Sequence, residues 1–321
     1  MPLAPSLSRP RLVPQLRRDD IRLGILYMLA SVFLFSLQNV TVKWLAERYP
    51  VAEMVFFRSA LSLLPATLLV WRAGGASVLR TRRLKGHFLR SALWGGSLTA
   101  AFLSYHLLPL ADAISLSFAA PLFLTALSWP LLHEAVGKYR WSAVLVGFIG
   151  VLVMSHPTGG GNALGIVYGV ANALFGALGS IAVRGLSRTE SSQCVVFYMG
   201  LFIALFTLPL LPFVWVRPDF LDLLGLISLG LVGGVGQYWT TQALFYAPAA
   251  AVAPFNYTAL IWGLILGFFF WGEVPDIWML AGALIVTASG LYILHREAFH
   301  RARRQAGPLP APAPPDRSDA A

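Results

Sequence analysis

The chain has 321 residues, 57% of them hydrophobic and 12% charged, with a mean hydropathy of +0.69 and a formal net charge of +10. Soluble domains carry about 25% charged residues, so the composition excludes an ordinary water-facing domain and points to a bundle with a lipid-facing surface, for which helices satisfy their own backbone. The basic residues stand in short clusters between apolar runs and not along one soluble face, which excludes nucleic acid as the partner.

A run of about 20 apolar residues crosses a bilayer. Ten runs qualify, near 23–43, 51–71, 88–108, 111–132, 140–155, 163–183, 193–214, 223–245, 249–271 and 276–295. They are continuous, where the strands of a barrel would alternate polar and apolar positions. The first follows Arg9, Arg11, Arg17 and Arg18 but exceeds the about 7–15 residues of a cleavable signal core, so it is kept as helix 1. The expectation is an all-α polytopic membrane protein with ten transmembrane helices. Residues 1–21 form a basic segment before them, and 297–321, basic and then Pro/Ala-rich, read as a disordered tail.

Charge placement fixes an expected orientation. With the N-terminus cytoplasmic, 20 of the 24 Lys and Arg fall inside, only Lys43, Arg48 and Arg217 fall outside, and Arg58 falls within the second run. That asymmetry puts both termini in the cytoplasm.

The chain also repeats itself. Leu23-Gly24-Ile25-Leu26-Tyr27 returns as Leu164-Gly165-Ile166-Val167-Tyr168, and in that register Lys43 falls on Arg184 and Val55-Phe56 on Val196-Phe197. At a slightly different offset Pro109 falls on Pro248 and Glu134 on Glu273. Five helices per repeat is an odd number, so residues 22–156 and 162–296 are expected as two inverted five-helix repeats, an organisation characteristic of alternating-access carriers.

Ionisable groups at membrane depth are costly and therefore mark sites. Arg58 and Glu53 lie five residues apart, about 140° around a helix, so they should not pair tightly. Arg58 should point inward, towards an anionic substrate group or another helix; pairing with Glu53 through a bend, or with Asp112, is the structural alternative. Glu53, His106 and Asp112 are the candidates for proton coupling, with a hydrated loop pair as the alternative for the last two. Glu134 and Glu273 are repeat-related and precede helices 5 and 10, where each could cap the helix that follows.

Uncharged polar groups mark the candidate binding surface: Gln38 and Asn39 in helix 1, Tyr105 in helix 3, Ser115 and Ser117 in helix 4, Asn172 and Ser180 in helix 6. Helix 8 adds Gln237, Tyr238 and Trp239, and helix 9 adds Asn256, Tyr257 and Trp262. Amides, hydroxyls and rings suit a planar or aromatic polar solute; bonding between helices is the alternative use of the same groups. Pro121 and Pro254 should interrupt helices 4 and 9, and Gly165–Gly169 and Gly263–Gly267 should allow close helix contact. Cys194, the single cysteine, reads as a small apolar residue, and no metal centre or cofactor is expected. No HExxH, GxSxG, aspartate dyad or Walker A motif occurs, so no catalytic residue is assigned and ATP is not the direct energy source.

The fragments Gln38-Asn39…Lys43, Glu53…Phe57-Arg58, His133-Glu134, Tyr246-Ala247-Pro248-Ala249, Gly272-Glu273 and Gly290-Leu291-Tyr292 occur in an order that resembles the drug/metabolite transporter superfamily, in particular its EamA-type members, over residues 22–295. The resemblance implies a secondary transporter of a small organic metabolite and a central cavity lined by helices 1, 3, 4, 6, 8 and 9. The second half looks closest to members associated with S-adenosylmethionine or riboflavin uptake, while others in the family export amino acids or drugs. An intramembrane enzyme and a non-transporting receptor are the remote alternatives. The expected partners are the substrate and the lipid bilayer, and a homodimer is left open.

Overall fold

A computed structural model describes residues 20–132, 137–154, 162–186, 189–247 and 249–305. The described residues are helical, with no strand among them. In chain order the helices are α1 (Ile21–Leu45), α2 (Val51–Arg72), α3 (Leu84–Leu107), α4 (Leu110–Ser117), α5 (Ala120–Leu132), α6 (Lys138–Met154) and α7 (Ala163–Leu186). They continue as α8 (Ser192–Thr207), α9 (Leu211–Val214), α10 (Phe220–Tyr246), α11 (Ala249–Val252), α12 (Thr258–Trp271) and α13 (Ile277–Gln305). Tight 3-10 turns occupy Gly75–Leu79, Leu208–Leu210 and Ala253–Tyr257.

Among the described residues seven stretches are long and apolar enough to cross a membrane, and the apolar part of α13, Ile277–Ile293, is a shorter eighth. The exterior agrees with a lipid surround. Phe213, Phe269 and Leu152 are 86%, 77% and 71% exposed, and many other large apolar side chains join them on the surface. Water would penalise each of them; hydrocarbon does not. The protein is a polytopic helical membrane protein.

The main packing partners lie far apart in sequence. α1 runs along α10, α2 along α8 and α10, α3 along α7 and α8, and α6 along α13. Glycines make the closest of these approaches. A Cβ on Gly230 would lie 2.4 Å from Leu61 Cβ, and one on Gly234 would lie 2.3 Å from Pro65 Cγ, so α10 meets α2 almost backbone to side chain. Gly165, Gly169 and Gly263 are packed in the same way against Leu108, Leu116 and Ile114.

The expected interruptions occur near Pro121 and Pro254. α4 ends at Ser117, whose hydroxyl donates to Ile114 O at 2.6 Å, and α5 restarts with Pro121 in its first turn, where a missing N–H costs nothing. On the other side Pro254 sits in the 3-10 turn that joins α11 to α12. The two breaks meet: the rings of Phe118 and Tyr257 are 4.7 Å apart.

One boundary differs from the expectation. The last helix continues to Gln305, beyond the boundary at 297, because Glu297, Ala298 and the Arg-rich run that follows are good helix formers. The segments 1–19 and 306–321 lie outside the described residues, as do His133, Glu134 and Pro248.

Candidate functional site: a cleft closed by ion pairs at one end

Helix directions define two faces. The starts of α1, α3 and α8 and the ends of α2, α7 and α10 share one face, called here the first face; Gly24 packs on Ala247 and Gly86 on Leu186. The end of α1, the α3–α4 turn and the α12–α13 turn share the opposite face.

At the opposite face, polar ties join distant segments. Lys43, 9% exposed at the end of α1, donates to Leu108 O at 2.8 Å, pairs with the Glu273 carboxylate, and lies 5.2 Å from the centre of the Trp271 ring. The other carboxylate oxygen of Glu273 accepts from Leu110 N at 2.8 Å. Gly272, with φ of 64°, gives the left-handed turn that brings this side chain back over α12. Glu273 therefore caps α4, in the first half of the chain, and not the helix that follows it. Nearby, Asp222 accepts from Tyr49 Oη at 2.9 Å and from Arg48 at 3.2 Å, and Glu53 Oε2 accepts from Val216 N at 3.1 Å.

From the first face a cleft enters between α2, α8 and α10. Its outer part has a volume of about 300 Å³ and is bordered by Arg72, Ser192, Gln193 and Gln242. Ala66, Leu69, Val196, Tyr238 and Thr241 continue it inward. It narrows to about 30 Å³ beside Arg58, Ser62 and Gln237, room for about one or two waters. The Arg58 Nε is buried and has no hydrogen-bond partner among the described residues.

The structure brings some of the expected residues to this cleft and not others. Arg58, Gln237 and Tyr238 line it. Tyr105, buried in α3, is within electrostatic reach of Arg58, and the Gln38 amide lies close to Gly233, at the cleft wall. Asn39 and Trp239 are half-buried in α1 and α10. Asn172 accepts from Ser97 Oγ at 2.7 Å, joining α7 to α3. Trp262 packs on Phe33 at 4.7 Å. Asn256 is exposed and donates to its own turn at Ala253 O, whereas the Tyr257 hydroxyl is buried against Gly290 without a hydrogen-bond partner among the described residues.

The charged candidates separate as well. Glu53 is fully buried on Val216 N, Asp112 is half-buried within electrostatic reach of Glu273 and Lys43, and His106 is exposed at the end of α3. Neither acid pairs with Arg58. Glu134 lies outside the described residues.

The cleft is thus walled by α2, α8 and α10; α10 is helix 8 of the implied lining set 1, 3, 4, 6, 8 and 9, whereas α2 and α8, helices 2 and 7 of the sequence, lie outside it. Several polar groups of the expected helices are spent on helix contacts, as in Ser31–Thr240 at 2.6 Å and Ser97–Asn172. Ser62 and Gln193 were missed because single hydroxyls and amides on otherwise apolar helices carry no sequence signal.

The comparisons with known proteins agree with this architecture. The EamA-like transporter family matches the chain twice, over residues 22–156 and 163–294. The chain belongs to the EamA-like transporter family. It is 32% identical to the pseudopaline exporter CntI of Pseudomonas aeruginosa (strain UCBPP-PA14), over 84% of this chain and 95% of that protein. It is 30% identical to the S-adenosylmethionine uptake transporter of Rickettsia prowazekii (strain Madrid E), over 85% of this chain and 93% of that protein. One crystal structure, at 18% identity, superposes with a TM-score of 0.59 over 88% of this chain and 98% of its own, a likeness of fold alone. This EamA-family protein is a membrane transporter.

Proposed function

We propose that the protein is a ten-helix, alternating-access carrier of an amino-acid-bearing metabolite of the S-adenosylmethionine class, bound with its carboxylate at Arg58. The observation that carries the proposal is the buried Arg58 Nε without a partner at the inner end of the cleft. A guanidinium presents a planar fork to a carboxylate and remains charged at any working pH. Tyr238 and Gln237 stand beside it, one offering a ring face and the other amide hydrogen bonds, the pair a purine-bearing amino acid needs. The names of the two relatives supply the first substrates to test.

Counting α4 with α5, α8 with α9 and α11 with α12 gives ten units, five in 22–156 and five in 162–296. The packing supports an inverted pair of halves: exchanging them turns the α1–α10 contact into α7–α3, and maps α2–α8 and α6–α13 onto themselves. Such halves rock about a site at their interface. With both termini cytoplasmic in the bacterial inner membrane, as the distribution of Lys and Arg supports, the cleft opens inward and the Lys43–Glu273 and Tyr49–Asp222 ties close the outside.

The test is flux of labelled S-adenosylmethionine in liposomes holding the purified chain, competed with riboflavin, nucleosides and free amino acids. Saturable flux, competed by amino-acid-bearing compounds and lost in Arg58→Ala, supports the reading. Flux that survives Arg58→Ala unchanged removes Arg58 from the site. Transport of riboflavin but of no amino-acid-bearing compound rejects the substrate class.

A further inference from the structure

His87, Glu190 and Cys194 gather at the first face, away from the Arg58 end of the cleft. His87 lies in the first turn of α3, Glu190 in the α7–α8 connection and Cys194 in the first turn of α8. His87 and Cys194 are fully buried, and the Glu190 side chain is 7% exposed. His87 Nε2 is 3.9 Å from both the Glu190 Oε2 and the Cys194 Sγ, and those two atoms are 3.6 Å apart.

The imidazole stands beyond N–H···O hydrogen-bond length of the Glu190 carboxylate, while the His87–Cys194 and Cys194–Glu190 separations are long, weak sulfur contacts, the thiol donating to the carboxylate. Together the three separations are the spacing of ligands around one ion. A point equidistant from the three atoms lies about 2.2 Å from each, against metal–ligand lengths of about 2.0–2.3 Å for N, O and S on zinc.

The surroundings fit a built site. Glu190 is oriented by Thr81, whose hydroxyl donates to the other carboxylate oxygen at 2.8 Å, the kind of outer contact that fixes a ligating carboxylate. Ser191 caps α8 by accepting from Cys194 N at 3.2 Å, which fixes the position of the thiol. The Tyr198 ring packs 4.8 Å from the His87 ring, whose Nδ1 is buried without a partner among the described residues. Arg90 is the neighbouring cation, and it donates to Val195 O at 3.3 Å. A thiolate and a carboxylate together carry the charge that balances a divalent ion.

We infer that His87, Glu190 and Cys194 form a binding site for a borderline divalent cation, Zn2+ being the best match to a nitrogen, oxygen and sulfur donor set. Calcium and magnesium prefer all-oxygen sites, and a thiolate disfavours both. Three protein ligands leave a fourth position for water. Occupancy ties α3 to α8 across the two halves of the chain, beside Ser192 and Gln193 at the mouth of the cleft.

Purified, tag-free, full-length protein titrated with Co2+ tests the site, because a thiolate ligand gives a ligand-to-metal charge-transfer absorption that Zn2+ then displaces. The expected result is one Co2+ per chain with that band, bleached by Zn2+, and affinity at least tenfold weaker in both Cys194→Ser and His87→Ala. Absence of the band in the wild-type protein overturns the proposal, and so does an unchanged affinity in Cys194→Ser. Since the variants could fail to fold, the wild-type chain gives a second readout. Cys194 is its only cysteine, so Zn2+ should slow alkylation of that one thiol on warming and a chelator should restore the rate. An alkylation rate indifferent to Zn2+ also overturns the proposal.

Discussion

Neutralising Glu273 while keeping its shape tests the closure of the opposite face. Glu273→Gln retains an oxygen for Leu110 N but leaves the buried Lys43 ammonium without its contacting carboxylate, held by Leu108 O and the Trp271 ring with Asp112 farther off. Two charges in contact gain about 4 kcal/mol at an effective dielectric of 20, of which the ring returns about 1 kcal/mol. The side chains are 10% and 19% exposed, so solvent screens little of the remainder. Loss of one partner should therefore destabilise the protein by about 3 kcal/mol, in line with other broken buried pairs. At about 2–3 °C per kcal/mol for a chain of this size, the melting temperature in detergent should fall by roughly 6–9 °C. Lys43→Met in the same background removes the stranded charge, so the double variant should be less unstable than the two single losses added, with a coupling of about 2 kcal/mol. Additivity within about 0.5 kcal/mol would refute the pairing as a closure element.

Further outcomes follow from the cleft and the helix contacts. Arg58→Ala should lower transport about 10–100-fold, the value of a lost charged hydrogen bond of about 1.5–3 kcal/mol, and Arg58→Lys should recover little because an ammonium lacks the planar fork; both are read as kcat/KM in liposomes. Gln237→Ala should impair transport, whereas Asn256→Ala, at an exposed turn, should stay within about twofold of the wild type in the same assay. Gly234→Ala should cost about 1–3 kcal/mol in thermal unfolding, because its Cβ would lie 2.3 Å from Pro65 Cγ and the proline has nowhere flexible to move.

Much of the fold was legible in the chain because the signals are local. Apolar length gave the helices, Pro121 and Pro254 marked the breaks, and the spacing of Gly165, Gly169 and Gly263 anticipated close packing. Pairings over long separations carried no such signal. Lys43 and Glu273 stand 230 residues apart, and nothing in the residues around Glu273 distinguishes a cap on α4 from one on the next helix. His87 and Cys194 are 107 residues apart with no metal-binding spacing between them. The single cysteine therefore read as apolar filling until tertiary structure placed an imidazole and a carboxylate beside it. The cleft was half legible: Arg58, Gln237 and Tyr238 stood out as polar groups at membrane depth, but polar residues that line a cavity and those that bind a neighbouring helix have the same composition.

The way the halves interlock has a consequence for biosynthesis. α1, α3 and α6 each find their principal neighbour in the second half of the chain, in α10, α7 and α13. A ribosome that has released residues 1–156 into the bilayer has made helices whose glycine seams and buried ions still await their complements. Such a nascent half stays open to membrane proteases and chaperones until α13 arrives, and a messenger truncated between the halves should yield a product that is degraded unless the missing half is supplied as a separate chain.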